Sequence, residues 1–246
     1  MITTAGFGNP TSIFLMQVAK ALPPRTVVEW AAMSREPGDD LKGSSARLWA
    51  LIEERTQPGA DKAAIDHRIW DLFGEQWAVM FTDLSGFSRH AAAFGIIHFL
   101  QVIWEQQKLL LPIVASHDGI LVKIEADSLM IIFRRPDRAL ECAIKMQQAC
   151  QTASAEKAPE EKILLCIGLG HGKILRIGDS DVFGAEVNAA SKLGEDRSKA
   201  HEILITGAVR ESVGDVPGLT FEPREMDVPG AEKCFAVGYE IKGEGA

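Results

Sequence analysis

The sequence is short of positive charge. Lys and Arg total 26 against 34 Asp and Glu, a net charge of −8. The chain thus lacks the basic footprint of a dedicated nucleic-acid binder, and nucleic acid is not expected among its partners. Any polyphosphate site on so acidic a chain needs a divalent cation to bring the positive charge. Paired cysteines are missing too: Cys142, Cys150, Cys166 and Cys234 form no C-x-x-C and have no histidine at ligand spacing. They read as buried thiols in a reducing compartment rather than as zinc ligands or disulfides. No stretch approaches 18 uninterrupted apolar residues. The greasiest, residues 94–115, carries His98, Gln101, Glu105, Gln106, Gln107 and Lys108 and reads as a packed helix rather than a membrane span. The apolar run Ile13-Phe14-Leu15-Met16 precedes the first basic residue, Lys20, so no signal peptide is expected and the default location is cytoplasmic. Internal repeats and low-complexity tracts are absent.

What is present is an ordinary globular composition. Of 246 residues, 46% are hydrophobic, enough for a sizeable core in one large domain or one domain plus an appendage. Residues 1–74 read as helices broken by turn formers: Thr11 to Leu22, Thr26 to Glu36, Ser45 to Glu54 and Asp61 to Phe73, closing at Gly74. They suit packing, dimerisation or regulation, and carry no reactive chemistry. From Trp77 the period changes. A strand over Trp77–Phe81 stops at Asp83-Leu84-Ser85-Gly86, and a long helical stretch runs to about Ser116, with Gly95 and Pro112 as its weak points. Strands over Ile120–Glu125 and Ser128–Phe133 face each other across Ala126-Asp127, and a helix runs from Pro136 to about Thr152. Next come a strand (Ile163–Leu169), a Gly-His-Gly turn (170–172), a strand (Lys173–Ile177), a helix (Glu186–Leu193), and strands at Ile203–Thr206 and Cys234–Ile241. The order β-α-β-β-α-β predicts an α+β fold: a largely antiparallel sheet with helices on one face.

Two carboxylates stand where apolar strands stop, Asp83 after Val79-Met80-Phe81-Thr82 and Asp127 in the hairpin turn. Either alone suits a turn or cap. Together, at one sheet edge, they offer the donor set that Mg²⁺ prefers alongside substrate phosphates. Ser85-Gly86-Phe87-Ser88 opens a helix whose first amides could cradle phosphate. Lys123 is a cation in an apolar strand and Asp181 an anion before Val182-Phe183-Gly184; one donating and one accepting, they could read a purine edge. Asn188 and Lys192, four residues apart on one helix face, set a neutral donor beside a cation, an arrangement that suits developing phosphoryl charge.

Three stretches, Phe81 to Ser88, His117 to Met130 and Asp181 to Leu193, occur in the right order and with fitting separations. Over residues 75 to 242 the chain resembles the class III nucleotidyl cyclase catalytic domain, which makes cyclic AMP or cyclic GMP. The resemblance implies a ferredoxin-like core, with residues 1–74 as a helical extension and 75–246 as the catalytic domain. It also implies a head-to-tail homodimer with shared active sites and two Mg²⁺ or Mn²⁺ ions in each. By matched position, Asp83, Asp127 and the Leu84 carbonyl are the metal ligands, Lys123 and Asp181 select the base in the adenine-reading manner, Asn188 orients the ribose and Lys192 stabilises the transition state. Three positions depart from the family pattern. Lys192 stands where Arg is usual, and a point charge is not equivalent to a planar bidentate fork. Ala126 stands where Gly usually precedes the second metal Asp. Val228-Pro229-Gly230 replaces a Leu-Lys-Gly-like element whose lysine touches the terminal phosphates, with Lys233 as a candidate substitute. The expected activity is conversion of ATP to cyclic AMP and pyrophosphate. The alternatives are a cyclase-fold module that binds nucleotide with little turnover, and a cyclase for GTP or a pyrimidine nucleotide.

Overall fold

A computed structural model describes residues 43–86 and 93–240, and the part of the chain from Leu48 onward forms one unit. Among the described residues two helices come first, α1 (Ser44–Thr56) and α2 (Lys62–Phe73). Asp61 caps α2 by accepting from the Ala64 amide at 3.0 Å, and Gly74 closes it. Leu48, Leu51, Ile65, Ile69 and Phe73 form an apolar cluster against Ile177 of the sheet, so this pair is packed rather than free. The helices expected at Thr11–Leu22 and Thr26–Glu36 lie outside the described residues.

No linker follows α2, because Gly74 is also the first residue of β1 (Gly74–Leu84). Then come α3 (Ile96–Ser116), β2 (Ile120–Glu125), β3 (Ser128–Phe133), α4 (Pro136–Ser154), β4 (Leu165–Ile177), β5 (Asp181–Phe183) and α5 (Ala185–Ser191). A π-helical turn (Lys192–Arg197), β6 (Ile203–Thr206), α6 (Gly207–Val213), β7 (Leu219–Arg224) and β8 (Cys234–Tyr239) complete the order. The strands make one sheet in the order β2-β3-β1-β4-β6-β8-β7, with β5 paired to β4. Among the described residues, β4–β6 is the one parallel pair. The hairpin strands β2 and β3 have the bounds the sequence predicts. Helix α3 starts after Gly95, at φ 87°, and continues through Pro112 without a break. Among the described residues, no helix is long and apolar enough to cross a membrane.

Strand β1 is buried on both faces, which is why its sequence does not alternate. Ala78, Met80 and Leu84 join the main core with α3, α4 and α6, while Trp77, Val79 and Phe81 pack with Val187 and Ala190 of α5. Helices therefore cover both faces, and the expectation of one covered face is corrected here.

The expected Gly-His-Gly turn is also corrected. Residues 170–172 lie inside one continuous 13-residue strand, with Gly170 opposite Val79, His171 opposite Ala78 and Gly172 opposite Trp77. The glycines serve close approach of a helix instead. A Cβ on Gly168 would stand 2.2 Å from the Ala190 carbonyl oxygen, one on Gly170 2.4 Å from that of Glu186, and one on Gly194 2.7 Å from that of Phe81. Helix α5 and the turn after it thus lie directly on the backbone of β1 and β4. Glu186 tethers this layer, its Oε2 accepting from the His171 amide (3.0 Å) and the Thr206 hydroxyl (2.8 Å). All four cysteines are free and buried, and burial pushes the Cys142 and Cys150 thiols up to about 12, so they are inert hydrophobes.

Candidate active site

Antiparallel pairing of β1 with β3 sets the β2–β3 turn beside the end of β1. Thr82 lies opposite Leu129 in that ladder, and its hydroxyl accepts from the Leu129 amide at 3.2 Å. Asp83, next along β1, points to the α5 side, while Asp127 occupies the turn and is only 6% exposed. The two carboxyls lie near enough for each to bear on the other's proton, and Asp127 Oδ2 accepts from the Leu84 amide at 3.2 Å. The Ser128 hydroxyl reaches Asp83 Oδ1 at 3.4 Å. Burial, and then the charge of Asp127, push the Asp83 carboxyl up to about 7; burial also raises Asp127, against amide hydrogen bonds that favour its charged form. The pair thus holds a proton far more tightly than ordinary carboxylates.

Among the described residues no lysine or arginine pairs with either acid, and no group of three or more His, Cys, Asp or Glu is arranged to hold an ion. What is present is a sequestered pair of oxygen donors next to the backbone of Leu84. That set fits a hard divalent cation that takes its remaining ligands from phosphate and water. Of the expected phosphate cradle, Ser85 and Gly86 form the turn after β1, Gly86 at φ 86°. Phe87 and Ser88 lie outside the described residues.

The other pair meets as well. The Asp181 Oδ1 accepts from the Val182 amide at 2.9 Å, leaving Oδ2 to accept from Lys123 Nζ at 3.0 Å. This hydrogen bond raises the Lys123 ammonium further, so it stays charged, and Glu125 stands 3.5 Å away on the same strand. Side chains of both Lys123 and Asp181 keep about a third of their surface exposed, 33% and 30%. Asn188 is exposed on α5, and the Lys192 amide bonds back to the Asn188 carbonyl, which keeps the two residues on one face. The Lys192 side chain is 53% exposed and pairs with Asp196 at 2.5 Å, not with either acid of the other pair.

Two residues were not singled out from sequence. Glu195, in the π turn, raises Asp83 further by its charge and lines a cleft of about 20 Å³ with Phe81, Lys123, Glu125, Ser128 and Met130. Gln106 of α3 donates its amide to the Asp127 main-chain carbonyl at 3.0 Å. Its only sequence signal is a polar residue at helical spacing between Val102 and Leu110.

The sequence profile of the adenylate and guanylate cyclase catalytic domain matches residues 74–242. The chain belongs to that family. Its structure agrees: the cyclase domain superposes on the adenylate/guanylate cyclase/hydrolase from Silicibacter pomeroyi with a TM-score of 0.58 and 24% identity, over 66% of this chain and 96% of that one. The adenylyl cyclase CyaB from P. aeruginosa gives 0.58 at 20% identity, over 70% and 98%. At such identities the likeness fixes the fold alone. In sequence, the chain is 29% identical to putative adenylate cyclase 3 of Rhizobium meliloti over 136 residues, 55% of this chain and 23% of the relative. It is 28% identical to the serine/threonine-protein kinase pkn2 of Myxococcus xanthus over 131 residues, 53% of this chain and 16% of the relative. The chain therefore spans less than a quarter of either curated relative. Cyclase domains of this family generally use divalent metals.

Proposed function

We propose that the protein is an adenylate cyclase, in which residues 75–246 form the catalytic domain and two copies share the active sites. The meeting of Asp83 and Asp127 carries this reading, since a buried acid set against a half-buried one is electrostatically costly without a cation. Mg²⁺ or Mn²⁺ held there with the Leu84 carbonyl would lower the charge barrier to attack by the ribose 3′-hydroxyl. The 3′-oxygen bonds to the α-phosphorus, the bond from that phosphorus to the bridging oxygen breaks, pyrophosphate departs and the hydroxyl proton is released. Lys123 donates to the ring nitrogen and Asp181 accepts from the amino group of adenine, each giving up part of its ion pair to do so. Asn188 orients the ribose, and Lys192 meets the charge growing on the phosphoryl oxygens. Residues 1–74 form an extension for packing, dimerisation or regulation; for its part from Leu48 to Phe73, the cluster on Ile177 supports packing.

The test is turnover of ATP, GTP, CTP and UTP in one mixture with Mn²⁺. Cyclic AMP as the main product is expected; a dominant product from another nucleotide overturns the base assignment. The engagement of Lys192 by Asp196 favours a second reading, a nucleotide-binding module of low turnover. Calorimetry with a non-cyclisable ATP analogue separates the two, because tight binding without any cyclic product selects the module.

A further inference from the structure

Helix α3 presents Phe99, Val102, Ile103, Leu110 and Val114 to the main core, and in the middle of that apolar stripe stands Gln106, with none of its surface exposed. Its Nε2 is used on the Asp127 carbonyl, but its Oε1 is buried with no hydrogen-bond partner. Core stability alone favours an aliphatic residue here, because an orphaned buried oxygen is a net cost. The group it holds is under local strain. Ala126, just before Asp127, sits at φ 53°, in the left-handed region where a Cβ is unfavourable and glycine is the ordinary choice. Three constraints thus converge on one residue: the Ala126 backbone delivers Asp127, the Leu84 amide grips its carboxylate at 3.2 Å, and Gln106 grips its carbonyl at 3.0 Å.

We infer that Gln106 is a positioning residue for the metal carboxylate: it locks the strained Ala126-Asp127 turn so that the Asp127 side chain stays beside Asp83. The inference rests on the proposed reading of those two acids. Partners behind a metal ligand change metal affinity by about ten- to a hundredfold when removed, and that range is expected here.

Gln147 of α4 supplies an internal control. It too is fully buried with an unpartnered Oε1, and it donates to main-chain carbonyls, those of Leu165 and Glu202, rather than to the turn. The experiment is calorimetric titration of Mn²⁺ alone into the full chain, for wild type, Asp127→Asn, Gln106→Met and Gln147→Met. Wild type is expected to bind, Asp127→Asn to lose binding, Gln106→Met to weaken it at least about tenfold, and Gln147→Met to stay within about threefold of wild type. Adding Ala126→Gly to Gln106→Met should recover part of the loss, since glycine relieves the strain of the turn but leaves the Asp127 carbonyl unclamped. If Gln106→Met does not fold, Gln106→Met/Ala126→Gly is compared with Ala126→Gly, and it should still bind more weakly. Equal Mn²⁺ affinity of wild type and Gln106→Met, or equal weakening by the two glutamine variants, overturns the inference while Asp127→Asn still upholds the acid pair. A wild type that takes up no Mn²⁺ overturns both.

Discussion

Lys123 and Asp127 sit four residues apart on one hairpin, yet they belong to opposite electrostatic situations. Lys123 faces an acid at 3.0 Å in a half-open setting, a satisfied pair. Asp127 faces another acid in a closed one, and burial drives both carboxyls toward protonation. The contrast separates two kinds of functional preparation. One pair is complete and must be partly dismantled to read a base. The other is incomplete and gains from an added cation.

The largest effect expected from breaking this contrast is at the acids. Asp127→Asn should lower kcat by about 10³ or more, measured as cyclic AMP formed with saturating Mn²⁺. The same substitution should stabilise the metal-free protein. Because the folded-state carboxyl pKa is raised, the destabilisation is absent below the unfolded value near 4, grows as pH rises and is complete above about 7. Urea unfolding should therefore show Asp127→Asn more stable than wild type by about 1–2 kcal/mol at pH 8 and not at pH 4. A variant no more stable at pH 8 would contradict the like-charge description.

The ion pair should behave in the opposite way. Lys123→Ala is expected to cut kcat/KM for ATP by about 10- to 100-fold and to narrow the preference over GTP. Its cost in stability should be under about 1 kcal/mol, as for other half-exposed pairs. An unchanged ATP-to-GTP ratio would remove Lys123 from base selection. A smaller change is expected from Lys192→Arg, because an arginine fork could meet phosphoryl oxygens while still reaching Asp196; it should raise kcat several-fold. Smallest of all, Ala126→Gly should shift the unfolding free energy by at most about 1 kcal/mol, because relief of strain is offset by a more flexible unfolded chain.

How far these features were legible in the sequence follows from how local their causes are. Asp83 and Asp127 could be read because each ends an apolar run, and the run lengths set the strands that bring them together. The hairpin was legible for the same reason. The run around Gly170 and Gly172 was misread because a glycine pair looks alike whether it turns the chain or makes room for a helix. At both glycines it is Glu186, remote in sequence, that distinguishes the two. Strand β7 escaped because Glu222, Pro223 and Arg224 suit an edge position rather than an interior one. The three-residue β5 and the seven-residue α6 are too short to show a period, and Gln106 gave no sign of its partner because Asp127 approaches it only after the sheet has formed.

Because α5 lies on bare backbone at Gly168 and Gly170, no rotamer cushions it. Where cores repack around a substitution, neighbouring helices usually drift on their side chains. Here the standoff between helix and sheet at those glycines is a hard-contact distance, which fixes the elevation at which Asn188 and Lys192 meet a visiting molecule.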